Sequence, residues 1–257
     1  MKNINIFSIR IDNVTLDKAA TSVIEMADDK VTFDFVVTPN VDHVVKLQAD
    51  VEFKKIYDKA SLVLADGQPL IWASRILRKP LVEKVSGSDL FPKICEKSVQ
   101  HRLKIFLVGG NDGVALQASK RLIKKYPGLN IVGTYSPPRG FEKDNNENDK
   151  IIRLIHKASP DILFVGLGAP KQEKWIYDNL YRLRVPVSLG VGASFDFEAG
   201  NIKRAPKVLQ KIGMEWFWRF CHEPTRLFRR YFIDDIKFIR LFFKEFKGRK
   251  YSHSEKI

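Results

Sequence analysis

Apolar residues fall along this chain in two alternating rhythms. Short runs such as KIFLVG (104–109) and ILFVG (162–166) are apolar at nearly every position, and between them lie stretches whose apolar residues recur every three or four. The first rhythm belongs to a strand covered on both faces, the second to a helix with one buried face. Strands are predicted at 4–9, 33–38, 62–65, 104–108, 130–134, 162–166 and 186–191. Helices are predicted near 17–27, 41–47, 69–76, 88–97, 113–126, 149–157 and 171–181. Repeated units of this kind specify an α/β fold, a Rossmann-like, mostly parallel sheet with helices on both faces. Ligands of such sheets bind beyond the carboxyl ends of the strands, so the residues directly after each strand are the ones to read for chemistry. The polar, turn-rich segment 137–148 (PPRGFEKDNNEN) is expected to be a mobile loop.

The rhythm changes after about Asn201. From Leu227 the apolar positions 227, 228, 231, 232, 238, 239, 242, 243 and 246 have the spacing of one helix face. Arg226, Arg229, Arg230, Lys237, Arg240, Lys244 and Lys247 fill much of the remainder, and eleven of the 29 aromatics lie between Trp216 and Phe246. The chain therefore divides into an α/β core (1–200) and a helical, basic C-terminal appendage (201–257). Charge sharpens the division. The formal net charge is +14, and the appendage holds fifteen Lys/Arg against six Asp/Glu, an excess of nine. That asymmetry favours a polyanionic partner: anionic lipid, a phosphorylated ligand or nucleic acid. The appendage can dock on the core or lie in a membrane interface as a basic, aromatic, amphipathic helix, and different turns can do each.

Other bulk features narrow the class. Cys95 and Cys221 have neither metal-ligand spacing nor a disulfide framework, which fits a reducing compartment. The start MKNINIFSIRID alternates like a strand and lacks the apolar run of a signal peptide, and no run approaches the ~20 residues of a spanning helix. The expectation is a cytosolic protein, with any membrane contact peripheral.

Five strands are followed by small or polar ligand-type residues: Thr38-Pro39-Asn40 after the second, Asp66-Gly67-Gln68 after the third, Gly109-Gly110-Asn111 after the fourth, Gly168-Ala169-Pro170-Lys171-Gln172 after the sixth, and Gly192-Ala193-Ser194-Phe195-Asp196 after the last. Turn chemistry accounts for any one of these, and Asn40 after Pro39 also reads as a helix cap. All five on one sheet edge make a binding crevice. Neither G-x-G-x-x-G nor a P-loop is present, although the small-residue loops can offer backbone N–H groups to phosphates.

In order along the chain stand TPNVDHV (38–44), LADGQPLIWASR (64–75), VSGSDL (85–90), FLVGG (106–110), VGLGAPKQEKWI (165–176), GVGASFDFEAGNIKRAP (190–206) and MEWFWRFCHEPTRLFRRY (214–231). This ordered set resembles the WecG/TagA/CpsF glycosyltransferases of bacterial surface-polymer synthesis. The resemblance implies metal-independent, inverting transfer of N-acetylmannosamine or a related sugar from a UDP-sugar to a polyprenyl-diphosphate-linked acceptor, at the cytoplasmic membrane face. It implies no cofactor and no metal. It places Asp66 as the base, with Thr38 and Asn40 beside it as catalytic groups. Gln172 would stand near the diphosphate or sugar, Asp196 at the ribose or uracil, and Gly109, Gly110 and Asn111 around the nucleotide. Arg219, Arg226, Arg229 and Arg230 fall on the family's C-terminal arginine pattern and would meet the departing diphosphate. Lys84 stands where the family commonly has arginine, which keeps the charge and loses the bidentate fork.

Three expectations remain open beside that reading. Asp196-Phe197-Glu198 loosely resembles the D-x-D of metal-dependent transferases, but no His or carboxylate cluster supports a metal. The basic tail alone would also suit a nucleic-acid-binding protein or a non-catalytic membrane scaffold, and both leave the strand-end loops unexplained. No nucleic-acid partner is expected, and a homo-oligomer is left open.

Overall fold

The computed structural model describes residues 2–211, 213–229 and 236–254. It opens with an antiparallel hairpin of β1 (Asn3–Ile6) and β2 (Ile9–Asp12), where a single strand over 4–9 was expected. Phe7 and Ser8 form the two-residue turn, both with positive φ (54° and 59°), the geometry that matches strand twist. Ile4 and Ile6 alternate before the turn and Ile9 and Ile11 after it, and apolar Phe7 between them lets the run read as one strand.

Six further strands form one sheet: β3 (Asp34–Val37), β4 (Leu62–Val63), β5 (Lys104–Gly109), β6 (Asn130–Tyr135), β7 (Ile162–Gly166) and β8 (Val187–Gly190). Their order is β4-β3-β8-β7-β5-β6 and every pairing is parallel. Consecutive side chains on these strands go to opposite faces. Val36, Leu62, Ile105, Leu107, Phe164 and Leu189 pack with α1 (Leu16–Asp29), α5 (Gly87–His101), α6 (Val114–Lys125) and α9 (Ser194–Ala199). Phe35, Val37, Val63, Phe106, Val108 and Val165 pack with α2 (Val41–Leu47), α3 (Val51–Lys59), α4 (Gln68–Ile76), α7 (Asn145–Ala158) and α8 (Lys171–Leu183). Covering both faces is what demands the uninterrupted apolar strands.

Two helices escaped the sequence pattern. α3 was hidden by its charged face, with only Phe53, Ile56 and Tyr57 buried, and α9 starts inside the small-residue loop after β8. The segment 137–148 also differs from the expected mobile loop. Phe141 is buried with its ring 5.9 Å from that of Trp175, and α7 begins at Asn145 behind the Asp144 cap. Asn148 closes the arrangement, donating to the Phe141 carbonyl (2.9 Å) and accepting from the Trp175 indole (2.7 Å).

Beyond Asn201 the chain is helical: α10 (Lys207–Lys211), α11 (Glu215–His222), α12 (Pro224–Arg229) and α13 (Ile236–Ser254). α13 packs on α2, and its apolar positions divide between two faces. Phe238 sits T-shaped on Phe7 (4.9 Å between centroids), with Leu241 and Phe242 against the same core. Ile239, Phe243 and Phe246 stay exposed beside Lys237, Arg240, Lys244 and Lys247. One helix therefore supplies a docked face and an exposed apolar-basic face.

Phe238 is 9% exposed and Phe243 is 53% exposed. Truncating a buried Phe to Ala costs about 3 kcal/mol, and a surface change about 0.5 kcal/mol or less. Phe238→Ala should lower the urea midpoint markedly while Phe243→Ala leaves it nearly in place. Equal effects would contradict the docking of α13.

Candidate active site

All six parallel strands deliver residues to one cavity of about 1100 Å³. Thr38 and Asn40 follow β3, Asp66 follows β4, Gly110 to Asp112 follow β5, Ser136 to Phe141 follow β6, Gly166 to Gln172 follow β7, and Val191 to Phe197 follow β8. A second cavity, about 460 Å³ and lined more by apolar surface, opens beside it and reaches Pro69, Trp216, Phe238 and Ile239. Asn40, Asp66, Ser88 and Phe197 line both. Asp66 thus stands where a polar chamber meets a more apolar one.

Local folding fixes these groups. The Asp66 N–H donates to the Pro39 carbonyl (2.8 Å), tying the β4 loop to the β3 loop. Asn40 does cap α2, its Oδ1 accepting from His43 N–H (3.2 Å), and the cap leaves its amide NH2 for the cavity. Thr38 is buried against Gly87, where an added Cβ would stand 3.5 Å from the Thr38 hydroxyl. His43 has its Nδ1 at 2.7 Å from the Tyr57 hydroxyl, the buried structural role that a histidine on this helix face suggests.

Gln172 connects two of the strand-end loops. Its Oε1 accepts from the N–H of Gly168 (3.1 Å) and of Gly192 (3.0 Å), so one amide oxygen joins the turns after β7 and β8. Its Nε2 donates to Glu173 Oε1 (2.8 Å). Gly190 makes room for this amide, because a Cβ there would lie 2.7 Å from Gln172 Nε2. Gly110 N–H in turn bonds the Gly166 carbonyl (2.9 Å). The glycine N–H groups expected to hold phosphate are therefore engaged within the protein at three of these positions. Gln172 retains one N–H for a ligand.

Glu173 was not singled out by its motif, yet it lies on the apolar face of α8 with Ile176 and Leu180, a periodicity readable from sequence. It is 1% exposed, and burial pushes its carboxyl up to about 7, more than the Gln172 bond and Lys46 pull it down.

Other expected residues divide. Gly110, Asn111 and Asp196 line the large cavity, whereas Gly109 (φ 121°) lies behind it, packed so closely on Gly166 that no Cβ fits. Asp196 and Glu198 diverge: the first faces the cavity, the second pairs with Lys125 (3.9 Å). Among the described residues no three His, Cys, Asp or Glu side chains group to hold a metal ion. Lys84 lines the smaller cavity, flanked by Asp89 (3.3 Å) and Glu215 (3.6 Å). Burial alone would depress its ammonium, but those carboxylates and Asp66 outweigh it and hold it raised. Arg204 joins the cluster through Asp89 (2.8 Å) and Glu215 (3.6 Å), binding α11 to the start of α5. Arg219, Arg226 and Arg229 fall within α11 and α12, but their side chains, and all of Arg230, lie outside the described residues. The cavity cations to which the sequence reading gave no role are Lys46, Arg139 and Lys171. Lys46 is held by Asp42 and Lys171 by Glu142, both at 2.8 Å, while Arg139 has no carboxylate partner among the described residues. Arg139 follows β6, so the strand-end rule could have found it had its loop not been read as mobile.

The profile of the Glycosyl transferase WecG/TagA/CpsF family matches residues 4–252. An N-acetylglucosaminyldiphosphoundecaprenol N-acetyl-beta-D-mannosaminyltransferase of Bacillus spizizenii is 31% identical over 192 residues, covering 75% of this chain and 72% of its own. The enzyme of the same name from Staphylococcus aureus is 28% identical over 228 residues, covering 86% and 87%. A six-stranded parallel sheet with a cavity across its strand ends, and a family match over nearly its whole length, make this chain a member of the WecG/TagA/CpsF family of glycosyltransferases.

Proposed function

We propose that the protein transfers N-acetylmannosamine, or a closely related hexose, from a UDP-sugar to a polyprenyl-diphosphate-linked N-acetylglucosamine acceptor in cell-surface polymer synthesis. The observation that carries this reading is the position of Asp66 at the junction of two unlike cavities. The larger, polar chamber suits a nucleotide sugar, with Asp196, Gly110 and Asn111 toward the nucleotide and Gln172 toward the diphosphate. The smaller chamber suits the acceptor sugar, with Lys84 toward its diphosphate and Trp216, Phe238 and Ile239 toward the lipid.

In the transfer, an acceptor hydroxyl attacks the anomeric carbon as the bond from that carbon to the UDP oxygen breaks. The proton passes to Asp66, and UDP leaves with the electron pair. Attack from the face opposite UDP inverts the anomeric centre. Thr38 and Asn40 hold the sugar or the acceptor hydroxyl in line. The departing diphosphate needs positive charge, and of the large cavity's three described lysines and arginines only Arg139 lacks a carboxylate partner. That shortage supports a contribution from Arg219, Arg226, Arg229 or Arg230, in the role a metal ion plays elsewhere. The exposed Ile239, Phe243 and Phe246 with the neighbouring lysines and Arg240 suit an anionic bilayer from which the acceptor is drawn. No helix is long and apolar enough to cross a membrane among the described residues.

Removing a general base costs about 10²–10⁴-fold in rate. Asp66→Ala should lower kcat by that factor while the affinity for UDP stays within about threefold; full activity in the variant would overturn the assignment. Each apolar side chain withdrawn from a bilayer is worth about 2 kcal/mol, more than tenfold in partitioning. The double variant Ile239→Asp, Phe243→Asp should therefore lose binding to anionic vesicles by tenfold or more with UDP binding intact. Unchanged vesicle binding would remove the membrane role of α13.

A further inference from the structure

The glycine turns after β7 and β8 line the cavity, and each has backbone bonds of its own, Gln172 N–H to the Gly168 carbonyl (3.0 Å) and Ser194 N–H to the Val191 carbonyl (3.2 Å). One amide oxygen, that of Gln172, accepts from an N–H in each and so ties the two together. An amide side chain can turn end for end, and with Nε2 toward the two glycine N–H groups it would set donors against donors. The two glycine N–H groups favour the oxygen, and an acceptor facing Nε2 adds to that preference. The partner in position to add to it is Glu173 Oε1, at 2.8 Å from Nε2. Its second oxygen is buried without a hydrogen-bond partner. A carboxyl kept in so unfavourable a place, directly behind the floor of the cavity, carries a cost that a core leucine would avoid.

We propose that Glu173 is a positioning residue for glycosyl transfer: its carboxyl fixes the Gln172 amide, and that amide fixes the Gly168 and Gly192 turns on which the sugar diphosphate is seated. The proposal rests on the functional reading above. It gives the buried carboxyl a second consequence. A negative charge at Glu173 lies beneath the place of a diphosphate dianion, so donor binding and protonation of Glu173 favour one another. The other charged or titratable groups around Glu173 are Lys46 and Asp42 on α2 and Tyr57 on α3; Tyr57 also feels Asp66. Lys46 is bound to Asp42 (2.8 Å) and lies near the Ala169 carbonyl (3.4 Å), and so neutralises Glu173 only in part.

The test compares wild type, Glu173→Gln and Glu173→Leu. Gln keeps the acceptor oxygen and removes the titration; Leu removes both. With the carboxyl titrating at about 7, the wild-type KM for the UDP-sugar should rise about threefold or more from pH ~6 to pH ~8.5. Glu173→Gln should match the wild type within about threefold at the low-pH end and show no such rise. Glu173→Leu should have a KM about tenfold higher throughout, with a smaller change in kcat, and faster hydrogen exchange at the Gly168 and Gly192 amides. A wild-type KM in Glu173→Leu, or the wild-type pH slope in Glu173→Gln, overturns the proposal. If the wild type transfers no UDP-sugar, the functional reading fails; the exchange at Gly168 and Gly192 still decides whether Glu173 holds the turns.

A ligand-free measurement checks the linkage. The folded carboxyl keeps its proton up to about 7, whereas the unfolded chain releases it near 4.5. Below 4.5 both states are protonated; as pH rises to 7 the folded state loses stability relative to the unfolded one. The Tm of Glu173→Gln minus that of wild type should therefore grow across this window and level off above it. A difference independent of pH contradicts the buried titration.

Discussion

A single amide oxygen bridges the two central strand ends of this enzyme. Gln172 Oε1 accepts from Gly168 after β7 and from Gly192 after β8, at 3.1 and 3.0 Å. Parallel strands fix the directions of their ends but not the conformations of the loops that follow. Here two such loops are set against each other by a side chain from the first turn of α8, and the glycines allow the approach. Gly190 is bare where the amide lies across it, and Gly109 is bare where β5 meets Gly166. Small residues in these motifs thus serve packing between strand ends before they serve a ligand.

Function follows from what surrounds that floor. A polar chamber and a more apolar one share Asn40, Asp66, Ser88 and Phe197, so a reaction between a water-soluble donor and a lipid-borne acceptor has a natural meeting point. The C-terminal helices form the outer wall of the smaller chamber through Trp216, Phe238 and Ile239. The Lys84–Asp89–Arg204–Glu215 cluster holds that wall to the start of α5. The smaller chamber and the exposed apolar-basic surface of α13 are then parts of one structure: the helix that buries Phe238 also exposes Phe243.

Much of this was legible in the sequence. Apolar runs such as ILFVG announced a sheet covered on both faces, and reading the residues after each strand found Thr38, Asn40, Asp66, Asn111, Gln172 and Asp196. What stayed hidden has physical causes. The hairpin has apolar Phe7 in its turn, so the run stays apolar where the strand reverses. α3 buries too few residues for its period to stand out against its charges. The segment 137–148 is polar because Asn148 is used inside, and Arg139 was lost with it. Gly109 was assigned to a ligand although its bareness serves β7. Glu173 carries charge in a place where periodicity predicts an apolar residue, a conflict that marks a site of function more often than an error. The arginines Arg219, Arg226, Arg229 and Arg230 were found as a pattern, and their part in the site remains a matter of chemistry.

The central claim is a single displacement at Asp66, with acceptor and donor entering from separate chambers. The anomeric configuration of the product tests it most directly. UDP-N-acetylmannosamine and a short-chain lipid-diphosphate N-acetylglucosamine, incubated with the protein in excess chelator, should give one UDP per linkage formed. The linkage should have the configuration opposite to that of the donor by NMR. A product that retains the donor's configuration would contradict the account.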